Sequence, residues 1–223
     1  MNNIFASVGG IESQSLRIEA NNLGPWHVHA NLIDDLPLSG ATVVRVGELE
    51  LRGTVRNWGS FVGNGDVLVV GGGDGWHKIV EPRHYHSDAG VRAKLVVEHL
   101  ATDVGETIGE FHTYRERLGT HFVRGREIAA KVLHDICDTN WWVGFDGLTH
   151  VGDREGEVVD SGLYTVLRYE PAWRSVELAM DDLRSVAVGS ILDDGVIPRM
   201  RIRELIITVK DSKVRVRVLG VEL

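Results

Sequence analysis

The sequence predicts an α+β fold that is mainly β, in which two small β-barrel-like domains flank an insertion made of helices and a hairpin. Both ends of the chain consist of short apolar stretches separated by frequent turn residues, which is typical of sheet proteins. The middle of the chain instead repeats its apolar residues at helical spacing. The 26 Gly residues, against only 5 Pro, are scattered singly, as turn and bulge residues are.

We place the domain boundaries where this periodicity changes. Residues 1–88 are assigned to an N-terminal β-barrel-like domain, residues 89–158 to an α+β insertion, and residues 159–223 to a second barrel-like domain. Two β regions separated by a helical insertion can give two barrels. The sequence contains no low-complexity linker between the three parts and no repeat of fixed period. The division therefore rests only on the change in hydrophobic periodicity.

Extended segments are predicted throughout the first 90 residues. The stretch from Val43 to Leu51 is rich in Val and Leu, and Thr54 to Trp58 is expected to be its short partner. The string Gly63-Asn64-Gly65-Asp66 is typical of a turn, and the run from Val67 to Val70 is expected as a buried strand after it. The Gly71–Gly75 run then ends that strand.

Two amphipathic helices are predicted in the insertion. The apolar stripe of the first is Ala93, Val96, Val97, Leu100, Ala101 and Val104. We expect Ser87 or Asp88 to cap its start, and Gly105 to follow its end in the left-handed conformation. A second helix fits Arg126 to Asp138, and its stripe is Ile128, Ala129, Val132, Leu133, Ile136 and Cys137.

A hairpin is predicted directly after the second helix. Trp141 to Phe145 and Leu148 to Val151 are β-prone runs joined by Asp146-Gly147. An Asp-Gly pair between such runs favours a type I′ turn, in which both central residues need positive φ. The two tryptophans at its start are expected to pack against the helices.

The C-terminal third is predicted to return to β structure. Tyr164 to Tyr169 and Val186 to Leu192 are strand candidates, and Arg201 to Val209 is expected to pair with Lys213 to Leu219 across Lys210-Asp211-Ser212. The last strand alternates Val with cations, so one face is apolar and the other cationic, as in a half-exposed or edge strand. Its cations are Lys213, Arg215 and Arg217. They either contact a partner or face solvent and discourage unwanted strand pairing.

The composition excludes several classes of protein. A net charge of −8 and a pI near 5.7 argue against a general nucleic-acid binder, because neutralising phosphates needs clustered Lys and Arg. A single Cys cannot make an intrachain disulfide or a Cys-rich zinc site. No apolar run approaches the roughly 18–20 residues that span a bilayer, and the first residues do not resemble a secretory signal. We therefore expect a soluble protein made in the cytosol.

The Gly71–Gly75 run does not meet the requirements of a phosphate-binding loop. A P-loop needs Lys-Ser/Thr directly after its last Gly and then a helix, whereas Trp76-His77 and extended sequence follow here. The dinucleotide-binding fingerprint fails for the same reason. We expect instead a bend or bulge where backbone must approach backbone closely.

Ten histidines raise a metal hypothesis. His27 and His29, like His84 and His86, form H-x-H pairs, and on a strand such side chains share one face. The carboxylates that could complete a site are Asp34, Asp35 and Asp88. Metalloprotease and base-deaminase signatures are absent from the sequence. We predict partly exposed sheet histidines and no metal. A metal-dependent hydrolase that acts on the cell wall through these H-x-H pairs stays open as the alternative, as does a gathering of His on a trimer axis.

No other residue is predicted to carry chemistry. Cys137 lies on the apolar stripe of the second helix, where a buried small hydrophobe is expected rather than a nucleophile. No G-x-S-x-G elbow occurs. We therefore assign no catalytic, cofactor-binding or metal-ligating residue and no cofactor, and we expect the chain not to be an enzyme. A carbohydrate- or receptor-binding module that uses exposed Trp residues is a further alternative.

Certain strings carry a resemblance to a known family. The string GDVLVVGGGDGWHKIVEPRHYHSDAGVRAKLVVEHLATDVGE combines a Gly-rich strand with a helix that ends in a Gly-Glu step, here Gly105-Glu106. A second helix then leads into an aromatic hairpin of the form W-x-V-x-x-D-G, here residues 141–147. Over roughly residues 40–152, and more loosely beyond, the chain resembles the baseplate or tail hub proteins of bacteriophages.

The resemblance implies an assembly protein of the virion tail, made in the host cytoplasm. Hub proteins of this kind have two barrel-like tube domains with an α/β insertion, and they form trimers whose six barrels mimic the six-fold tail tube. The implied partners are two further copies, the tail tube protein and the spike or tip protein. Genomic DNA passes through the lumen without specific binding, which suits an acidic chain because like charges repel. No membrane insertion is implied, and extra spike-gripping domains are reduced or missing.

Overall fold

The first part of the chain forms a closed six-stranded antiparallel barrel. The computed structural model describes residues 6–211 and 213–223. The barrel strands pair in the order β1-β4-β5-β6-β3-β2, and the ring closes where β2 pairs with β1. The strands are β1 (Ala6–Val8), β2 (Ile11–Asn21), β3 (His27–Leu32), β4 (Gly40–Val46), β5 (Leu49–Phe61) and β6 (Asn64–Gly71).

One strand predicted in this region is in fact a hairpin. The stretch from Val43 to Leu51 turns at Gly47-Glu48 and so divides between β4 and β5. Gly47 has a φ of 57°, which glycine adopts without the steric penalty of other residues. The predicted partner, Thr54 to Trp58, is the continuation of β5. Because β-prone Val and Leu residues occur on both sides of the turn, composition alone predicts one continuous strand here.

The next turn lies earlier than predicted. Val67 to Val70 belongs to β6, as expected, but that strand already begins at Asn64. The reversal occurs at Val62-Gly63, where both residues have positive φ, 52° and 78°. Of the predicted turn string, only its first residue, Gly63, is a central residue of the turn.

The C-terminal strands extend the barrel sheet instead of closing a ring of their own among the described residues. From β2 the order continues β17-β18-β15-β14, and β16 pairs with β17. These strands are β14 (Tyr164–Glu170), β15 (Ser175–Met180), β16 (Ile191–Leu192), β17 (Met200–Lys210) and β18 (Lys213–Glu222). One hydrophobic core runs through both β regions. The predicted fold class, α+β and mainly β, is confirmed.

The long C-terminal hairpin was predicted nearly as it stands. β17 and β18 pair up to Lys210 opposite Lys213; Ser212 of the predicted turn lies outside the described residues. Val216 and Val218 are fully buried, and the alternating cations Lys213, Arg215 and Arg217 are exposed. β18 lies between β17 and β15, so it is half-exposed but not an edge strand. The strand predicted from Val186 is only Ile191–Leu192.

The insertion has its own core around two helices, α1 (Ala93–Val104) and α2 (Ala129–Cys137). Its short strands are β7 (Ile79–Val80), β8 (Arg83–His86), β9 (Ile108–Phe111), β10 (His121–Arg124), β11 (Glu127–Ile128), β12 (Trp141–Val143) and β13 (Thr149–Val151). Neither helix among the described residues has the length and apolar character needed to cross a membrane. The domain boundaries at 88 and 158 stay a prediction.

The first helix matches its prediction except at its start. All six residues of the predicted stripe are buried, and Gly105 ends the helix with a φ of 83°. Its N-cap is Arg92, without a side-chain cap, so the expected cap by Ser87 or Asp88 is wrong. The backbone N–H of Ala93 instead donates to the carbonyl of Glu116 across a loop, a partner that no local pattern identifies.

Two details of the following segment also differ from expectation. The second helix begins at Ala129, because Glu127-Ile128 pairs with β7 as a strand, and Ile128 is therefore exposed. In the hairpin, the N–H of Gly147 donates to the carbonyl of Gly144, and only Gly147 of the Asp-Gly pair has positive φ. The type I′ prediction is wrong, since that turn needs positive φ at both central residues.

We expect Val97→Asp or Leu100→Asp to lower the free energy of unfolding by more than about 3 kcal/mol. Both side chains are fully buried on α1, so each variant would bury a charge without a partner. Leu95→Asp is the matched control, because Leu95 lies on the same helix and is 44% exposed. Urea unfolding measures the effect. Equal stability of all three variants would show that the buried face of α1 is misassigned.

Candidate functional site

The Gly71–Gly75 run forms the seam between the barrel and the insertion. β6 ends at Gly71, and the following glycines wrap around the residue after the C-cap of α1, Glu106. The backbone N–H of Gly73 donates to Glu106 Oε2 at 3.0 Å, and that of Gly75 donates to Oε1 at 2.6 Å. Each carboxylate oxygen therefore has its own amide donor, and Glu106 joins the segment that follows β6 to the end of α1.

The seam has no room for side chains on these glycines. A Cβ on Gly73 would lie 2.2 Å from the carbonyl oxygen of Gly105, and one on Gly75 would lie 2.3 Å from that of Val104. Such distances do not occur between real Cβ atoms and backbone. The expectation that this run serves a close approach of backbone to backbone is confirmed.

Glu106 is a nearly buried carboxyl, 7% exposed. Burial raises its pKa, and the amides of Gly73 and Gly75 only partly offset that effect. Lys78 also favours the charged form, while its Nζ donates to the carbonyl of Val104 at 2.8 Å and so caps the end of α1. The site is thus a fully hydrogen-bonded buried acid, which is the form in which proteins tolerate such groups.

Asp74, within the same run, ties the seam to the barrel wall. It adopts a φ of 54°, and Arg56 of β5 binds its carboxylate through Nε at 3.0 Å and through Nη2. The hydrogen bond to Asp74 raises the pKa of Arg56. His77 Nδ1 lies 3.3 Å from the same carboxylate. The run is therefore anchored on both sides, by Glu106 and by Arg56.

Trp26 makes a second contact across the seam. Its indole is buried, and its Nε1 donates to the carbonyl of Gly144 in the hairpin at 2.9 Å. The ring occupies the space where Gly53 and Gly71 lack side chains, since a Cβ on either would lie 2.7 Å from it. Phe145 meets the ring edge-on at 6.3 Å. The hairpin is thereby fixed on the barrel.

The two hairpin tryptophans have different roles. Trp141 packs in the insertion core against Trp76, 5.4 Å between ring centroids, as predicted. Trp142 stacks on His150, with 5.6 Å between the ring centroids, and the guanidinium of Arg154 lies over the Trp142 ring at 5.3 Å. Burial lowers the pKa of Arg154 to about 10, and its Nη1 donates to a carbonyl of β2. Trp142 therefore belongs to the seam and is not a free binding platform.

The two H-x-H pairs lie on separate sheets. His27 and His29 are on β3 of the barrel, where burial and the charge of Arg56 lower the pKa of His27. His84 and His86 are exposed on β8, which pairs only with β10 in a two-stranded ribbon among the described strands. Across residues 6–211 and 213–223, no group of three or more His, Cys, Asp or Glu is arranged to hold a metal ion.

Cys137 and the groove at the start of α1 are the remaining candidates for a functional site. Cys137 is fully buried on α2, as expected, and burial raises the pKa of its thiol to about 12. A groove of about 560 Å³ lies at the start of α1. Its only lining carboxylate there is Glu98, so it lacks the pair of acids that sugar hydrolysis requires.

Sequence reasoning missed the role of Glu106. The Gly105-Glu106 step was noticed as a family string, but nothing connected it to glycines some 30 positions earlier. The available signal was a Gly-rich run with several free amides, together with a lone acidic residue directly after a helix C-cap. Such amides form an anion-binding concavity, and here the anion is the chain's own carboxylate.

Comparison with solved structures gives close matches of fold. The 43 kDa tail protein of prophage MuSo2 from Shewanella oneidensis matches with a TM-score of 0.72 and 9% identity, over 98% of this chain and 96% of that one. The tail protein from Neisseria meningitidis MC58 matches with a TM-score of 0.68 and 12% identity, over 98% and 96% of the chains.

A third match is a component of the type VI secretion system of E. coli, the c3393 protein, which exhibits structural similarity to the T4 bacteriophage tail proteins gp27 and gp5. Its TM-score is 0.70 at 10% identity, over 98% of this chain and 76% of that one. No protein-family model and no curated protein matches the sequence. At these identities the likeness concerns the fold, and for the fold the expected resemblance to phage tail proteins is confirmed.

We expect Gly73→Ala to lower the free energy of unfolding by about 2 kcal/mol or more, because overpacking against backbone cannot be relieved by a side-chain rotation. Gly59→Ala is the matched control: Gly59 lies on β5, and an added Cβ there meets nothing within 4 Å. Denaturant unfolding of the two variants measures the difference. If Gly73→Ala were as stable as the control, the tight seam would be disproved.

The buried carboxyl also predicts a pH dependence. Burial raises the folded pKa of Glu106 above its ordinary value of 4.5, so its contribution to stability is full below about pH 4.5 and is lost as the pH rises through the folded pKa. The free energy of unfolding of the wild type, relative to Glu106→Gln, should therefore fall over this window. The comparison cancels the titration of other carboxyls. A constant or rising difference would contradict the raised pKa.

Proposed function

We propose that the chain is a structural component of a phage tail, a baseplate or tail hub that joins the tail tube to the central spike or tip and continues the DNA channel. The observation that carries this proposal is the fold itself. It matches tail proteins over nearly their whole length and not merely over a barrel, which many unrelated proteins possess.

The architecture supports a role in assembly. The barrel and its strand extension share one core and so form a rigid wall, and the seam fixes the insertion on that wall. Each chain brings two β regions, so a homotrimer presents six to a six-fold tube. The remaining partners in this proposal are the tail tube protein and the spike or tip protein, and the protein resides in the virion tail.

The surroundings of the candidate catalytic and metal-ligating groups support a non-enzymatic role. Both carboxylate oxygens of Glu106 accept hydrogen bonds from backbone amides, and Cys137 is buried. The two H-x-H pairs lie on separate sheets. A metal-dependent hydrolase would need those pairs to converge. The net charge of −8 suits a channel through which DNA passes without specific binding, because like charges repel.

We expect the purified chain to form a trimer, with a mass by light scattering of three times the chain mass of 24.7 kDa. In electron micrographs of phage particles, a gold label on this protein should mark the tip end of the tail. A label on the head or spread along the tail would contradict the hub assignment. A stable monomer at high concentration, together with an unlabelled tail, would contradict the tail role altogether.

A further inference from the structure

The tip of the β5–β6 hairpin is an exposed apolar element. Phe61 and Val62 are 81% and 80% exposed. Val62 also has a φ of 52° and is followed by Gly63 at 78°, which are positions where Asn, Asp or Gly is favoured. A β-branched residue in the left-handed region is a genuine outlier. Val62 therefore combines an unfavourable backbone conformation with a side chain that is largely exposed to solvent.

The same end of the barrel carries further apolar side chains. The segment after β3 exposes Ile33 at 43% and Leu36 at 59%. This segment packs beside the hairpin, since a Cβ on Gly65 would lie 2.8 Å from the carbonyl of Asp34. Gln14 of β2 donates to Asn64 at 3.0 Å and steadies the hairpin. We call Ile33, Leu36, Phe61 and Val62 the tip patch.

A second apolar patch lies at the open edge of the extended sheet. Among the described strands, β14 pairs with β15 only, so its outer edge is free. Leu163, Leu167 and Trp173, at or beside this strand, are 41%, 45% and 72% exposed. We call these three residues the edge patch. Free strand edges that carry apolar residues are ready to pair with another chain.

Charged groups of opposite sign lie beside the tip patch and beside the Trp173 end of the edge patch. Asp34 and Asp35 lie between Ile33 and Leu36 of the tip patch, and neither forms an ion pair among the described residues. Arg174 follows Trp173 directly and likewise has no acidic partner there. Opposite charges at the margins of two apolar patches guide one patch onto the other and disfavour contact between like patches.

We propose that the tip patch of one copy docks on the edge patch of the next copy, with Asp34 and Asp35 facing Arg174. The inference rests on the proposed homotrimer and names its contact. A cyclic ring requires two different patches on each chain, and these two lie on the two β regions. Burial of Phe61 and Val62 in this contact offsets the strained backbone of Val62, which explains a valine at a turn position that favours asparagine.

The first test separates assembly from folding with Val62→Asn. At concentrations where the chains are monomers, relief of the backbone should raise Tm by about 2–4 °C. In sedimentation at higher concentration, the trimer dissociation constant should rise at least about tenfold. Val196→Asn is the matched control, because Val196 is 77% exposed at another turn. Unchanged assembly of Val62→Asn would overturn the proposal.

The second test identifies the docking partner by exchanging charges. Asp34→Lys with Asp35→Lys should weaken the trimer, Arg174→Glu should weaken it separately, and the triple variant should restore it. Additive weakening in the triple variant would overturn the proposed pairing. A wild-type chain that stays monomeric refutes the homotrimer itself, whereas a trimer that persists in every variant refutes only the contact. The two failures are therefore distinguishable.

Discussion

The structure depends on one buried carboxyl, Glu106, held by the amides of Gly73 and Gly75 at the seam between barrel and insertion. Burying this group without partners would be unfavourable, because removing a carboxylate from water costs free energy. Two backbone N–H donors and the positive charge of the nearby Lys78 partly offset the cost of burying Glu106. The geometry has little freedom, since any side chain on those glycines would collide with backbone. A hydrogen-bonded acid thus fixes one docking position where apolar packing alone would allow several.

The other seam contacts extend this constraint. Trp26 occupies the space that two glycines leave in the barrel wall and donates to the hairpin. At the end of β2 a second contact also combines an aromatic ring with a hydrogen bond to backbone. Trp142 contacts His150 and Arg154, and Arg154 donates to the carbonyl of Asn21. Polar contacts at both positions set the register, and the aromatic rings supply the buried area. Specific hydrogen-bonded pairs and buried aromatic rings therefore together hold the insertion against the barrel.

The functional argument combines fold with surface. Glu106 and Cys137, whose side chains often take part in catalysis, have structural roles here: one is hydrogen-bonded to backbone and the other is buried. Residues with unfavourable local conformations instead lie on the surface. Val62 is the clearest example, because a valine in the left-handed region is unfavourable in the single chain. Departures of this kind are expected where a surface serves a partner. The proposed assembly role agrees with both observations, and the fold itself is similar to that of tail proteins over 98% of the chain.

The sequence by itself determined what depends on local periodicity. Helical spacing gave α1 and its Gly105 end, and alternation gave the β17–β18 hairpin. Only the tertiary structure decided the turn at Gly47, the late start of α2, the cap-free start of α1 and the role of Glu106. Each of these rests on a partner distant in the chain, such as β7 for Glu127-Ile128 or Gly73 for Glu106. Periodicity records which face is buried, but it carries no information about what buries it.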